Sequence, residues 1–430
     1  SQVIALLSRM KATSLILLLT QIHCAYAFWH KGEPEEKLDL KGIIERWEYP
    51  VEVHQVTTSD GYILDLFRIP RGRNERKSSE PCTRHAILFN HGLALSGAQW
   101  ALNMPNQSAA FVFADAGFDV FLLNQRGTTY GRKHTKMGSG FFNNEFWQFT
   151  LDEMANSDVP AVIDKVLALN GNKQLYYVGH NQGNLVGFMM LADNPQYNRK
   201  VKKLFALAPV GAVHYAKGAV RAAFLIHNIF RPITALYTSV LGAHEIFFNP
   251  FPWLYRTIVE FVCKKPLIGL ICKDVVDLTL GHVGPQLNVS RTPVYFSHVP
   301  SGSSTWTFLH YAQNAQAKKA MHFDYGNPLK NFQKHGRVSI WVTPHPYNYS
   351  QIDTEIYLFW SRNDWLATPN DIVHPLIPSL GKGVIKGSFE FPEYNHLHYA
   401  VATTTKERVY QPIIDIIVKD GPMPMCAGES

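Results

Sequence analysis

The hydrophobic pattern divides the chain into an opening hairpin and a longer alternation of strands and helices. Val51–Thr58 and Tyr62–Ile69 are rich in β-branched and aromatic residues and flank a short turn at Ser59–Gly61, which predicts a β-hairpin. Beyond it, short apolar runs end at turn residues and are separated by stretches long enough for helices. These runs are Ala86–Phe89, Asp119–Leu123, Leu175–Val178, Leu204–Leu207, Ile356–Trp360 and Ser388–Phe391. The alternation predicts an α/β fold with a mostly parallel central sheet covered by helices on both faces.

Helical periodicity is clearest at Asp152–Leu169, where Met154, Val162 and Val166 recur near helical spacing. A second helix, Pro412–Val418, is predicted to close the domain. Between these two helices the alternation of strands and helices is interrupted. From about Tyr215 to Gly326 the chain is strongly apolar and has a helical pattern. We interpret this stretch as an inserted helical cap. Its apolar residues either form the core of the cap, which is their commoner role, or form a lid over a lipid-sized pocket.

The N-terminal segment has the pattern of a secretory signal peptide. Lys11 precedes the apolar run Leu15–Leu19, and small residues stand at Ala25 and Ala27, the positions that precede a cleavage site. The apolar run is too short to span a bilayer, which favours cleavage over a membrane anchor. The predicted organisation is a signal peptide with upstream residues (1–27), a first core segment (28–214), the cap (215–330), a second core segment (331–420) and a tail (421–430).

The composition is that of a globular protein, with 46% hydrophobic and 17% charged residues. The formal net charge of +7 falls to +5 without Arg9 and Lys11, and the remaining excess is spread along the chain. No basic block is interleaved with aromatic residues, so a nucleic-acid partner is not expected. The 19 histidines would add positive charge in an acidic compartment and would then favour anionic lipid surfaces. The sequence shows no metal-ligand spacing and no phosphate-binding glycine loop, so it predicts neither a metal nor a cofactor.

Sequons and cysteines agree with passage through the secretory pathway, to either a lysosomal or an extracellular destination. The three predicted glycosylation sites are Asn106, Asn288 and Asn348. After loss of Cys24 with the signal peptide, an even number of cysteines remains in an oxidising compartment. Cys263 and Cys272 are close enough in sequence to close a small disulfide loop. The state of Cys82 and Cys426 stays open.

The candidate catalytic segment is Gly179-His180-Asn181-Gln182-Gly183, which lies between the strand Leu175–Val178 and the apolar helix Leu185–Ala192. In α/β-hydrolases this strand–turn–helix carries Gly-x-nucleophile-x-Gly, because the glycines permit a turn sharp enough to expose one side chain. Alone the pentapeptide is weak evidence. At a glycine frequency of about 7%, two glycines with this spacing arise by chance roughly twice in a chain of this length.

The surrounding segments supply the specificity. Leu93 follows the strand Ala86–Phe89, where one oxyanion-hole amide is expected, and Gln182 would supply the other amide. Asp364 and His396 each follow a later predicted strand. An isolated Asp in a loop is usually a turn former. Here, however, the residue at position 181, Asp364 and His396 occur in the chain order that α/β-hydrolases use for nucleophile, acid and histidine.

The chain resembles the acid lipase family, the gastric and lysosomal lipases that hydrolyse triacylglycerols and steryl esters. The matching segments are His91–Leu93, Ala114–Val120, Asn124–Gly127, Arg132–His134, Glu145–Trp147, Asp152–Met154, Asp158–Ala161, Phe323–Gly326, Asn363–Ala367 and Tyr394–Leu397. The resemblance implies that Asp364 orients His396, and that His396 acts as general base and then general acid. It also implies a neutral lipid at a lipid–water interface as the substrate or ligand, and a disulfide within the cap, which agrees with Cys263 and Cys272.

The chain departs from this family at position 181, where Asn181 replaces the catalytic serine. An amide nitrogen is delocalised into its carbonyl, so it offers no nucleophile for His396 to activate, and no substitute nucleophile is evident. The backbone should tolerate the change, because Asn accepts the positive φ of such turns. Three explanations stay open: a natural non-catalytic relative, an introduced change from serine, and deamidation to aspartate, which Gln182 in place of glycine disfavours. The two functional hypotheses are an impaired neutral-lipid ester hydrolase and an inactive lipid-binding or regulatory protein.

Overall fold

A computed structural model describes residues 33–75, 84–140, 143–229, 243–246, 269–336 and 344–421. The predicted signal peptide, residues 422–430 of the tail, and Cys82, Cys263 and Cys426 lie outside these residues. The Cys272 side chain also lies outside them, so the predicted disulfide loop remains a prediction. Within the described ranges, no helix combines the length and the apolar character needed to cross a bilayer.

One twisted sheet organises the described part of the chain, with strand order β1-β2-β4-β3-β6-β7-β10-β11 and β5 paired to β2. Its strands are β1 (Glu52–Thr57), β2 (Tyr62–Ile69), β3 (Ala86–Asn90), β4 (Asp119–Leu122), β5 (Lys133–His134), β6 (Leu175–His180), β7 (Val201–Leu207), β10 (Glu355–Trp360) and β11 (Ile385–Glu390). From β4 to β11 all neighbouring strands are parallel, whereas β1, β2 and β5 pair antiparallel at one edge. The predicted α/β fold with a mostly parallel sheet is confirmed.

The burial of the strands explains this arrangement. β3, β4 and β6 are buried at every position, as expected for parallel strands covered on both faces. The predicted hairpin is present, with Val53 opposite Phe67. β1 at its outer edge is mostly exposed, which agrees with its mixed polar sequence. Most strands extend one to three residues beyond the apolar runs, because backbone pairing continues where the hydrophobic signal has ended.

Helices pack on the sheet and in the region between β7 and β10. In the core they are α1 (Leu40–Arg46), α2 (Ala109–Asp115), α3 (Leu151–Glu153), α4 (Val159–Asn170), α5 (Gln182–Asp193), and, after β10, α11 (Pro369–Asp371), α12 (Ile377–Ser379), α13 (His398–Val401) and α14 (Gln411–Val418). The predicted helix at Asp152–Leu169 is continuous but contains a π-helical turn, Met154–Asp158, between α3 and α4. Pro160 lacks the amide hydrogen that a regular α-helix would direct to the carbonyl of Asn156, which favours the wider turn at this point.

The inserted region is mainly helical between β7 and β10. Its described elements are α6 (Gly218–Ile229), β8 (Glu245–Ile246), α7 (Gly269–Leu280), α8 (Thr292–Ser297), β9 (Ser303–Ser304), α9 (Thr305–Ala317) and α10 (Pro328–His335). The purely helical pattern missed the short antiparallel pair of β8 and β9, which joins Glu245 to Ser304. Two-residue strands are too short to produce a period-2 signal. We propose that residues 215–330 form the cap.

Arg126 anchors the loop after β4 to two other parts of the core. It is fully buried, and its guanidinium donates to Asp158 Oδ1 at 2.6 and 2.8 Å, while its backbone amide donates to Asp158 Oδ2 at 3.0 Å. The same guanidinium donates to both carboxylate oxygens of Asp60, in the hairpin turn, and lies 4.0 Å from the ring centroid of Tyr62. The arrangement supplies paired partners for a cation that burial would otherwise make very unfavourable.

We expect Asp158→Asn to lower the free energy of unfolding by about 3 kcal/mol, because it removes a buried charge that Arg126 requires. The matched control is Asp164→Asn, since the exposed Asp164 pairs with the half-buried Lys200 and surface pairs contribute about 0–1 kcal/mol. Urea unfolding followed by circular dichroism measures both. Equal unfolding midpoints for the two variants would show that the buried network is not a stabilising constraint.

Candidate functional site

Asn181 stands at the turn where β6 becomes α5, with φ of 52° and ψ of −113°. A Cβ on Gly179 would overlap Asn184, and a Cβ on Gly183 would overlap the backbone carbonyl of Asn90 in β3. Both glycines are therefore required by close approach of neighbouring chain segments. Asn is among the non-glycine residues that best accept a positive φ. The predicted strand–turn–helix is present, and it presents the side chain of residue 181.

The structure brings Asp364 and His396 to this turn. His396 Nδ1 lies 2.8 Å from Asp364 Oδ2, and His396 Nε2 lies 2.6 Å from Asn181 Nδ2, with all three residues buried. Asp364 Oδ1 accepts hydrogen bonds from the amides of Leu366 and Ala367, both at 2.8 Å. One carboxylate oxygen thus forms the turn that an isolated Asp usually forms, and the other oxygen orients the histidine.

The two amides that the sequence predicts for an oxyanion hole both donate to the side chain of Asn181. The Leu93 amide lies 3.2 Å from Asn181 Oδ1, and the Gln182 amide lies 2.6 Å from the same atom. Two N–H donors converging on one atom require that atom to be the carbonyl oxygen, so Nδ2 faces His396. The side-chain carbonyl oxygen of Asn181 therefore lies between the two amides that we predict would polarise an ester carbonyl.

The same hydrogen bonds define the proton positions on His396. Asn181 Nδ2 can only donate, so His396 Nε2 carries the lone pair and Nδ1 carries the proton that Asp364 accepts. This is the tautomer that a general base needs toward a nucleophile at position 181. The carbonyl of His396 also accepts a hydrogen bond from His180 Nε2 at 2.9 Å. Burial, reinforced by the neighbouring His396, lowers the pKa of His180 to about 3, so its ring adds no charge to the site.

A layer of buried amides that sequence analysis did not single out supports the turn. Gln182 Nε2 donates to Gln125 Oε1, and Gln125 Nε2 donates to Asn90 Oδ1 at 2.8 Å. Asn90 Nδ2 in turn donates to the hydroxyl of Tyr177 at 2.7 Å. Asn90 was detectable as a polar residue directly after an apolar run, and Gln125 as one of two polar residues after the next run, but their mutual contact depends on strand order.

The segment that carries Leu93 is positioned by neutral groups. The Gly92 amide donates to Gln99 Oε1 at 3.0 Å, and the Gln125 amide donates to His91 Nε2 at 3.1 Å. Burial lowers the pKa of His91 to about 4, so this ring remains neutral and can accept that hydrogen bond. The Leu93 amide is therefore held toward residue 181 by a loop that the hydrogen bonds of Gly92 and His91 orient.

An apolar cavity of about 500 Å³ opens beside Asn181 and His396. Its walls come from both the core and the inserted region, and include Leu95, Val220, Val276, Leu280, Leu287 and Val401. The volume lies within the range of small-molecule sites. The cavity is predominantly apolar, and Asn181 and His396 are among its lining residues.

The three predicted glycosylation sites differ in exposure. Asn106 and Asn348 are exposed, and Asn288 is half-buried. In two of the sequons the serine hydroxyl donates to the asparagine Oδ1 at 2.7 Å, from Ser290 to Asn288 and from Ser350 to Asn348. Modification at these positions remains a prediction.

Comparisons with known proteins give consistent relationships. Residues 40–104 match the family described as partial alpha/beta-hydrolase lipase region, and residues 85–228 match the family described as alpha/beta hydrolase fold. The chain is 36% identical over 415 residues to Lipase lipl-1 of Caenorhabditis elegans, covering 96% of this chain and 99% of the relative. It is 34% identical over 407 residues to human gastric triacylglycerol lipase, covering 95% and 98% of the two chains.

Solved structures agree on the fold. The structure of a candidate lipase from Sulfolobus solfataricus superimposes with a TM-score of 0.55 at 11% identity, covering 86% of this chain and 99% of that chain. At this identity the likeness concerns the arrangement of strands and helices alone. It supports the same sheet topology that the strand pairing shows.

We expect Asn181→Ser to lower the free energy of unfolding by about 1–3 kcal/mol, because one serine oxygen cannot occupy both the position of Asn181 Oδ1, which accepts from Leu93 and Gln182, and that of Nδ2, which donates to His396. Unfolding midpoints of the two proteins, measured in the same urea series, check this. Asn103→Ser serves as a control for loss of a buried amide elsewhere, since Asn103 Nδ2 donates to the carbonyl of Val401. A serine variant as stable as the unaltered protein would contradict a stabilising role for the Asn181 contacts.

Proposed function

The chain belongs to the lipase family that includes gastric triacylglycerol lipase, and on that premise we propose that it binds neutral lipid esters but hydrolyses them poorly. The ligand class is triacylglycerol or steryl ester, held with an acyl chain in the apolar cavity. The proposal rests on the position of the Asn181 carbonyl oxygen, which accepts hydrogen bonds from both predicted oxyanion-hole amides.

Two separate defects follow from this geometry. First, residue 181 has no oxygen or sulfur that His396 can deprotonate. Second, Asn181 Oδ1 competes with the ester carbonyl for Leu93 and Gln182. A serine hydrolase without its nucleophile retains about 10³–10⁴-fold catalysis over water from its oxyanion hole and binding. Here that residual contribution is reduced as well, because the donors already have an acceptor.

With serine at position 181, the remaining groups would perform ester hydrolysis. His396 Nε2 would take the serine proton as the serine oxygen bonds to the ester carbonyl carbon, and Asp364 would stabilise the imidazolium that forms. The Leu93 and Gln182 amides would donate to the oxyanion, and His396 would return the proton to the leaving alcohol as the ester C–O bond breaks. A water activated by His396 would then hydrolyse the acyl-serine and release the fatty acid. Asp364 and His396 keep the hydrogen bond that this mechanism requires. We therefore propose that the loss of activity comes from the Asn181 side chain alone.

The sequence features also support a secretory route, and we propose a lysosomal or extracellular destination. The signal-peptide pattern at 1–27, the sequons and the predicted Cys263–Cys272 disulfide all point to it.

Deamidation of Asn181 remains unfavourable by the usual route, in which the following backbone nitrogen attacks the side-chain carbonyl. The Gln182 N–H donates to Asn181 Oδ1, which does not direct the nitrogen lone pair at the carbonyl carbon.

The activity test compares the unaltered protein with Asn181→Ser and Asn181→Ala on emulsified triacylglycerol and steryl ester, at acidic and neutral pH. We expect Asn181→Ser to raise turnover by about 10³-fold or more, because loss of a serine nucleophile costs on the order of 10⁶. Asn181→Ala vacates the oxyanion hole without adding a nucleophile, and should stay far below the serine variant.

Two outcomes would contradict the proposal. Lipase-level turnover by the unaltered protein would show that Asn181 does not block catalysis. An inactive, folded Asn181→Ser variant would show that Asp364 and His396 are not the remaining catalytic groups. The double variant Asn181→Ser with His396→Ala should lose the turnover that Asn181→Ser gains. That loss would assign the recovered activity to the proposed triad.

Lipid binding is testable without turnover. We expect Val276→Arg to weaken binding of a fluorescent ether analogue of triacylglycerol by about tenfold or more, because it places a charge in the apolar wall. Val373→Arg is the matched control, since Val373 is 43% exposed and does not line the cavity. Equal affinities of both variants, measured by fluorescence titration, would exclude the cavity as the lipid site.

A further inference from the structure

A second polar cluster lies where α3, the segment after α9 and the end of α10 meet. Asp152, His322 and His335 each direct one potential ligand atom into it, and these three atoms lie within 4.8 Å of one another. None of the three residues lines the apolar cavity. The cluster is therefore separate from the proposed catalytic groups, and the lipase chemistry assigns it no role.

Two of the three side chains are already oriented by neighbours. His335 Nε2 lies 2.8 Å from the carbonyl of Phe323 and donates to it, which leaves the lone pair on Nδ1. Asp152 Oδ1 accepts from the Tyr347 hydroxyl at 2.5 Å, and Asp152 Oδ2 accepts from the Phe323 amide at 2.9 Å. Metal-binding histidines and carboxylates in proteins are held by hydrogen bonds of this kind.

His322 lacks such an arrangement, and its surroundings favour a cation. It is only 6% exposed, and its ring lies between two carboxylates, with Nδ1 3.8 Å from Asp152 Oδ1 and Nε2 3.5 Å from Asp193 Oδ2. Within the described residues, Nε2 is buried without a hydrogen-bond partner. A neutral imidazole has one N–H, so one of the two nitrogens would turn its lone pair toward a carboxylate unless a cation lay between them.

We propose that Asp152, His322 and His335 bind a zinc ion. Two imidazoles and a carboxylate form a donor set that Zn²⁺ accepts. Tetrahedral ligands at zinc distances are roughly 3.3 Å apart, so the donor atoms must move closer together on binding. His335 is half-buried at the end of α10, where side-chain rotation can supply this movement.

The bound ion would fasten α10 and the segment after α9 to α3 in the core. Asp152 lies far in sequence from His322 and His335, so the three ligands come together only in the folded chain. An ion that binds them therefore stabilises the folded state relative to the unfolded state. We therefore assign the site a stabilising role in the tertiary structure. This assignment does not depend on the proposed lipid-binding function.

Zinc binding is tested on the purified full-length protein after removal of metal with a chelator. Titration with ZnCl₂ alone, followed by calorimetry, should give one zinc ion per chain, and zinc should raise the melting temperature. We expect His322→Gln and His335→Gln each to weaken zinc binding by about tenfold or more. His374→Gln, which alters an exposed histidine outside the cluster, should bind zinc as the unaltered protein does.

Cobalt substitution supplies a spectroscopic check, because Co²⁺ in this site should give the visible absorption of a four-coordinate ion, and the two variants should lose it. If His322→Gln does not fold, as judged by circular dichroism, His335→Gln carries the test, since its side chain is half-buried. Failure of the unaltered protein to bind zinc would overturn the proposal. Unchanged binding in the folded variants would overturn it as well, by placing the zinc on other histidines.

Discussion

The turn between β6 and α5 is the constraint on which the functional part of this structure depends. Here the chain turns sharply at Asn181, which has a positive φ. Gly179 lies close to Asn184, and Gly183 lies close to the backbone of β3. The first amide of α5 and the amide of Leu93 then point at the side chain of residue 181. The geometry that holds the backbone therefore also builds a site for a partial negative charge.

An asparagine satisfies this site internally, whereas a serine would leave it open for a substrate. The carboxamide of Asn181 supplies an acceptor to the two amides and a donor to His396, so each polar group that converges here has a partner. An active hydrolase must instead keep its oxyanion donors unfilled until the substrate arrives. Stability and turnover would therefore place opposite demands on residue 181.

Buried polar groups carry much of the organisation around the site. Asn90, Gln125 and Gln182 connect the ends of adjacent strands and the start of α5, and Arg126 joins the following loop to Asp158 and Asp60. Such groups are unfavourable when unpaired, so each contact restricts the arrangement of the strands that carry it. The same loop therefore links the hairpin at the sheet edge to the turn at its centre. Substitutions in this network, although remote from position 181, can therefore alter the positions of the groups around it.

Local pattern and chain order determined the sheet, the sharp turn, and the sequence positions of Asp364 and His396, because periodicity and strand-end motifs act over a few residues. The hairpin and all six apolar runs became strands for this reason. Only the tertiary structure decided that the Asn181 carbonyl oxygen accepts from the amides of both Leu93 and Gln182, since that requires two segments distant in sequence to converge. It also decided the cavity walls, which combine core and inserted helices, and the grouping of Asp152 with His322 and His335. Those contacts join distant parts of the chain, and no local sequence signal encodes the distance between them.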